Sequence, residues 1–277
     1  MNRMSLTSRF CCVALSLVSL STMALAGSSL APHRAFYTLE AARLDSKGGV
    51  TSISGKLAYE ITGSDCDGYA ISYRFGSRYT QGEGEPQLFD LRMTSYETSD
   101  GKEMNMEQKQ FMNARLDKET KLKAKLLPNA PGEANFDGTE ASKVTFDATA
   151  IFPTAFQKKL MDDALKGNTH TTAVVFDGTE NEKASRAVGF IGAKKQDSHI
   201  VSGADTATLD GLNKLAYWPV TVSYFDLDAK ADGEPNYTAS FKMLENGVST
   251  DLVMDYGTYA LKGKLEKIEM LKTETCN

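Results

Sequence analysis

The sequence predicts an all-β protein made mostly of antiparallel strands, with one short helix. Apolar and polar residues alternate with a period of two along much of the chain. Glycine-containing turn dipeptides punctuate those stretches. Only one segment switches to a helical period. Alternation of this kind marks strands with one face buried and the other wet.

The first element is not part of that fold. Residues 1–26 carry Arg3 and Arg9, no acid, and an apolar run from Phe10 to Leu20 interrupted only by serines. That run is too short to cross a hydrocarbon core of about 30 Å as a helix. Ala24-Leu25-Ala26 supplies a small-x-small cleavage pattern. Together these predict a cleaved signal peptide and no transmembrane anchor. Cys11 and Cys12 head the apolar run, whereas a lipidated cysteine would follow it.

Residues 27–277 are then expected to form a single exported domain, with no second hydrophobic span. Loss of Arg3 and Arg9 moves the formal charge from −5 to −7. An acidic body without a basic block argues against nucleic acid, and against electrostatic docking on anionic lipid. Of four cysteines, Cys66 and Cys276 remain. In an oxidising compartment they allow one intramolecular disulfide. It would close a loop of about 210 residues, worth roughly 5 kcal/mol on the chain-entropy argument.

The strands follow in order. Ala35, Phe36, Tyr37 and Leu39 open the first. Ile53, Leu57, Tyr59 and Ile61 alternate with small or charged residues, as do Tyr69, Ile71, Tyr73 and Phe75. Gly48-Gly49, Asp67-Gly68, Asp100-Gly101, Asp137-Gly138, Asp177-Gly178, Asp232-Gly233 and Asn246-Gly247 read as turns. Between Met104 and Leu127, helix-favouring residues compete with an alternation continued from Leu91 and Met93 through Met104, Met106 and Gln108. The alternation favours strands there. Phe136-Asp-Gly-Thr-Glu140 recurs as Phe176-Asp-Gly-Thr-Glu180, but the flanks do not align, so two independent turns are expected rather than a repeat.

The helix begins near Thr154, where Thr154-x-x-Gln157 has the form of a capping box. Phe156, Leu160, Met161, Ala164 and Leu165 share one face. Lys166 suits the C-terminal end of the dipole, and Gly167 suits the residue just past it.

Little catalytic chemistry is legible. His33, His170 and His199 are scattered, and no nucleophile elbow, zinc-binding helix motif or phosphate loop occurs. Asp228 to Gly233 has some offsets of a calcium loop, but Lys230 and Ala239 stand where oxygen ligands should be. It reads as a charged hairpin loop. No catalytic residue, metal site or cofactor is expected. The aromatic residues, 11 Tyr and 13 Phe, serve equally as packed core or as the lining of a cup for a lipid-like ligand.

Several motifs carry a resemblance. They are Leu30-Ala-Pro-His-Arg34, Gly63-Ser-Asp-Cys-Asp-Gly-Tyr69, Tyr96-Glu-Thr-Ser-Asp-Gly101, Phe152-Pro-Thr154, Val175-Phe-Asp-Gly178 and the run from Tyr237 to Gly263. In that order the chain resembles the EipB family of bacterial periplasmic cell-envelope integrity proteins. The resemblance implies a large antiparallel β-spiral, an incompletely closed barrel, in the periplasm. It implies that Cys66 and Cys276 are the bridged pair. It also implies a role in envelope integrity under stress without catalysis, and a link to periplasmic tetratricopeptide-repeat proteins. The expected function is a noncatalytic binding or scaffolding module. A carrier of a lipid or lipoprotein acyl chain is the alternative. An envelope hydrolase ranks last, because no activated nucleophile is visible.

Overall fold

The structure is a computed structural model that describes residues 29–179, 183–196, 206–230 and 233–273. The expected signal peptide, Cys276, His199 and Asp232 lie outside the described residues.

Period-two alternation becomes strand wherever it was read. The first eight strands are β1 (His33–Leu44), β2 (Val50–Ser64), β3 (Gly68–Gln81), β4 (Gln87–Glu97), β5 (Glu103–Met112), β6 (Arg115–Leu127), β7 (Ala130–Gly138) and β8 (Ser142–Phe146). Helix α1 (Pro153–Leu165) follows. Then come β9 (His170–Val175), β10 (Ser185–Ile191), the short helix α2 (Thr206–Asn213), β11 (Tyr217–Asp226), β12 (Tyr237–Leu244), β13 (Ser249–Asp255) and β14 (Tyr259–Met270). The stretch with competing signals is the β5–β6 hairpin, turning at Asn113 and Ala114 with φ of 50° and 66°. Helix propensity loses there because Met104, Met106, Gln108, Leu122 and Ala124 all bury one face of the sheet.

Among the described residues the strands form one antiparallel sheet, in the spatial order β8 to β1, then β14 down to β9. Two meanders therefore grow outwards from a shared β1–β14 ladder, which runs from His33/Met270 to Leu44/Tyr259. The two outer edges, β8 and β9, are not joined by a ladder. Ile151, five residues past the end of β8, makes a parallel bridge to Val175 of β9. Ile151 N–H donates to the Val174 carbonyl at 2.9 Å, and Phe176 N–H donates to the Ile151 carbonyl at 3.0 Å. The barrel is curled and left open.

Helix α1 sits inside the curl. Its buried side chains Phe156, Leu160, Met161 and Ala164 share a cluster with Ile61 and Tyr69 of β2 and β3, and with Ala187, Val220, Val222 and Met243 of β10 to β12. Those strands are far apart in the sheet order, so the sheet must wrap the helix to reach it from both sides. Each large apolar side chain buried this way contributes roughly 1.5–3 kcal/mol. Leu165 departs from the predicted stripe and is 54 % exposed.

Two further local expectations change. The helix N-cap is Phe152, with Pro153 in the first turn and no side-chain cap of its own. Thr154 is thus already inside the helix, and the predicted capping box does not form. Asp137-Gly138 is not a turn. It ends β7 in register with Lys121 and Thr120, and the chain reverses after it. Lys166 and Gly167 do end α1, with Gly167 at φ 78°.

Candidate functional site

The inward residues of the strands set the character of the interior. Along β3 these are Tyr69, Ile71, Tyr73, Phe75 and Tyr79, while Arg74 and Arg78 face outwards. The same alternation on β2, β4 and β11 to β14 brings further tyrosines and phenylalanines to the concave side. They do not pack solid. A cavity of about 270 Å³ lies under α1, lined by His33, Tyr37, Tyr59, Phe156, Tyr224 and Phe241, with Ala239 and Gly247. A second, of about 460 Å³, lies nearer the β3–β4 end, lined by Tyr73, Phe75, Tyr79, Phe89, Tyr256 and Tyr259.

The two cavities adjoin. Tyr59 of the first and Tyr73 of the second are directly paired across β2 and β3. A file of rings also connects them. Tyr224 to Tyr237 is 5.9 Å, Tyr237 to Tyr256 is 5.0 Å, and Tyr256 to Tyr259 is 5.0 Å between centroids. Such spacings are those of favourable aromatic contacts.

The phenol groups are held un-ionised. Burial pushes Tyr73 and Tyr224 up to about 12. Burial likewise raises Tyr59, with help from the nearby Glu97 carboxyl, and raises Tyr237 well above its ordinary value. Yet all four side chains are only half-buried by accessible surface. Both observations hold for a ring deep in the protein whose edge opens into an internal cavity. Tyr37 spends its hydroxyl on the Ser249 carbonyl at 2.7 Å. Tyr59, Tyr73, Tyr224 and Tyr237 have no hydroxyl partner of this kind among the described residues. A hydroxyl that opens into a cavity in this way is ready to bond whatever fills the space.

Three other polar groups border the lining. His33 is 3 % exposed, and its Nδ1–H donates to the Ala31 carbonyl at 2.8 Å. That leaves Nε2 as an acceptor. Burial lowers its pKa, so the imidazole is neutral. It leans on Tyr59 at 5.6 Å. Glu97, at the end of β4 and 3 % exposed, accepts the N–H groups of Thr154 at 2.8 Å and Ala155 at 3.4 Å. It is the cap that the helix lacks locally, and it satisfies donors at the positive end of the dipole. Burial nevertheless raises its pKa. Asp177 accepts the N–H and hydroxyl of Thr179, both at 2.8 Å, and burial raises its pKa too. Asp177 lies close enough to Tyr224 to raise that phenol. Gly178 beside it has φ +72°, and a Cβ there would meet Leu122 Cδ2 at 2.2 Å. Only glycine lets this loop press onto β6 and carry Asp177 inwards.

The sequence had not marked Glu97, Asp177 or the tyrosine file as a group. Of the histidines, His33 joins the lining and His170 is exposed on β9. Cys66 is exposed in the β2–β3 turn. Among the described residues no cluster of three or more His, Cys, Asp or Glu could hold a metal ion, and no helix is long and apolar enough to cross a membrane.

Fold and interior define an open, barrel-like antiparallel β protein with a phenol-lined hollow. The profile of the EipB-like family matches residues 24–272, and the chain belongs to that family. It is 33 % identical over 245 residues to the cell envelope integrity protein EipB of Brucella abortus, covering 88 % of this chain and 85 % of that one. It is also similar to a crystal structure of a β-barrel-like protein of a domain of unknown function from Brucella abortus. There the TM-score is 0.82 and the identity 30 %, over 89 % of this chain and all of the other.

Proposed function

We propose that this chain is a noncatalytic periplasmic protein that supports cell-envelope integrity and stress resistance by binding, and that its interior takes an apolar chain such as the acyl chain of a lipid or lipoprotein. The observation that carries the binding reading is the pair of adjoining cavities, whose phenols keep unpartnered hydroxyls beside apolar walls. Ligand pockets are typically about 300–1,000 Å³, mostly apolar, with a few polar groups that orient the guest. The un-ionised phenols and neutral imidazole supply hydrogen bonds rather than an activated nucleophile, which favours holding over catalysis. The envelope role rests on the name of the relative from Brucella abortus. A tetratricopeptide-repeat protein remains the proposed partner on family resemblance.

Export and the Cys66–Cys276 bridge belong to the same proposal. The start of the family match at residue 24 supports a leader before the domain. Met270, His33 and Ile61 stand side by side on β14, β1 and β2. At about 4.8 Å per strand, Met270 and Ile61 are roughly 10 Å apart. β14 ends at Met270, six residues before Cys276, while β2 runs on to Ser64 before the turn that holds Cys66. Leu271 N–H still donates to the Pro32 carbonyl at 2.9 Å, keeping the tail close. Native mass spectrometry of the protein purified from periplasm without detergent tests the proposal. The expected species starts at Gly27, gains no alkylation mass before reduction, and retains an apolar adduct. An empty protein with two free thiols would contradict both the carrier and the bridge.

A further inference from the structure

The outer face of the sheet carries a groove of its own, across β4 to β7, with a volume of about 780 Å³. The strand registers show how it is made. One wall is the rank Tyr96, Asn105, Lys123 and Asn135, each paired with the next across neighbouring strands. The other wall is Thr94, Glu107, Lys121 and Asp137, paired in the same way two residues along each strand. At about 3.4 Å per residue the walls stand roughly 7 Å apart. Between them lie Met106 and Leu122, whose side chains turn into the core and are 5 % and 2 % exposed, so the floor there is backbone.

The first wall departs from what a merely solvated face would carry. Lys121, Lys123 and Lys125 all point outwards along β6. Lys121 stands between Glu107 and Asp137, and Lys125 between Glu103 and Glu133. Opposite charges paired across strands stabilise a sheet in this way. Lys123 stands between Asn105 and Asn135 instead. Among the described residues, the side chains of Asn105, Lys123 and Asn135 make no hydrogen bond or ion pair. The rank ends on Tyr96, which is 39 % exposed. Its hydroxyl donates to the Asp67 carbonyl at 2.6 Å and lies over Gly68, where a Cβ would meet it at 3.0 Å. The ring is thereby laid along the sheet and offers its face rather than its hydroxyl.

These walls suit a neutral sugar chain. Amide side chains both donate to hydroxyl groups and accept from them. The fixed apolar body of a tyrosine ring matches the C–H face of a sugar. Strands about 4.8 Å apart present one such group per step, close to the length of one sugar in an extended chain. Lys121 and Lys123 balance Glu107 and Asp137, so the groove has no net charge with which to draw a polyanion. An α-helix, about 10–12 Å across, is too wide for it. A peptide strand lying across the ladder would leave its own N–H and C=O groups without the edge pairing that such peptides use.

We propose that this outer groove binds a neutral, extended oligosaccharide, stacked on Tyr96 and hydrogen-bonded along Asn105, Lys123 and Asn135, with one sugar per strand from β4 to β7. The sheet separates this site from the hollow, and the two do not depend on each other.

The test is an NMR titration of the isotope-labelled mature protein. The probe is chitotetraose, which is neutral and straight. Maltotetraose, equally neutral but helically curved, is the control. Chitotetraose should give saturable amide shifts confined to β4–β7, and maltotetraose should bind at least tenfold more weakly. Tyr96→Ala should weaken chitotetraose at least tenfold, and Asn135→Ala, at the far end of the rank, several-fold. Tyr96→Phe keeps the ring face and should lose much less than Tyr96→Ala. No shifts with chitotetraose, shifts only elsewhere, or a folded Asn135→Ala protein that binds it as the wild type does would overturn the proposal. So would maltotetraose binding as tightly, or a glycine-serine peptide of similar length shifting β4–β7 where the sugar does not.

Discussion

One sheet and one alternation build two different interiors. On the β5–β8 side, inward residues close solidly. Phe146 stacks on Phe176 at 3.9 Å and 7°, Phe136 meets Phe176 edge-on at 6.4 Å, and Phe152 is fully buried. Met104, Met106, Ala124 and Ala134 fill between them. Ala is small and Met adapts to irregular gaps, so this lobe packs without strain. On the β1–β3 and β11–β14 side, tyrosines stand among aliphatic residues such as Leu39, Leu57, Val222 and Leu265 at the inward positions. Rigid rings with a polar tip cannot interlock as Met and Ala do, and their hydroxyls resist dry packing. The hollow is therefore a consequence of residue choice at equivalent positions. The proposed binding of an apolar chain belongs to the side with the hollow, and the interior of the β5–β8 side is packed throughout.

That division can be broken by mutation. Phe176→Ala, in the packed lobe, removes a fully buried ring that two others touch and should cost about 3–5 kcal/mol. Tyr237→Phe, in the open lobe, removes a hydroxyl without a protein partner and should change stability by less than about 1 kcal/mol. Urea unfolding of both variants checks the contrast, and equal losses would refute it.

A smaller effect comes from Glu97, which ties α1 to β4 across the boundary. Its folded pKa is raised by burial, so its contribution to stability is greatest below its unfolded value, near 4.5, and is lost as pH rises through the folded pKa. Glu97→Gln keeps an acceptor for the Thr154 N–H but cannot ionise. The variant should therefore gain on the wild type as pH rises from about 4 to 8. Unfolding free energies measured at both ends give the sign. A gap that is constant or reversed in pH would mean that Glu97 is not desolvated as described.

How much of this was legible in the sequence depends on range. Strand alternation is local, and it survives in Ile53, Leu57 and Ile61 and even in the helix-rich composition of β5 and β6. The apolar stripe of α1 is local too, and four of its five residues are buried. The cap is not local. Thr154 and Gln157 match a capping motif, yet Pro153 starts the helix one residue earlier and the cap arrives from Glu97, 57 positions back. Curvature is not local either. Nothing in the pattern of Tyr69, Ile71, Tyr73 and Phe75 distinguishes a strand facing solid core from one facing a cavity. That depends on what the wrapped sheet brings opposite, here Tyr256 and Tyr259 from nearly two hundred residues on. The acids fared the same way. Asp177 looked like an ordinary turn residue, and only the approach of Gly178 to Leu122 shows it directed inwards.

The central claim is that the tyrosine-lined hollow is a binding site, and filling it tests that most directly. Ala239 lines the cavity under α1 and is half-buried. Ala239→Leu adds bulk to empty space rather than to packed core, so the fold should tolerate it. Equilibrium binding of N-phenylnaphthylamine should show one site in the wild type and at least a tenfold loss of affinity in the variant, with the melting temperature within a few degrees. A wild type that binds no fluorophore, or a folded Ala239→Leu protein that binds it as tightly as the wild type, would contradict the account.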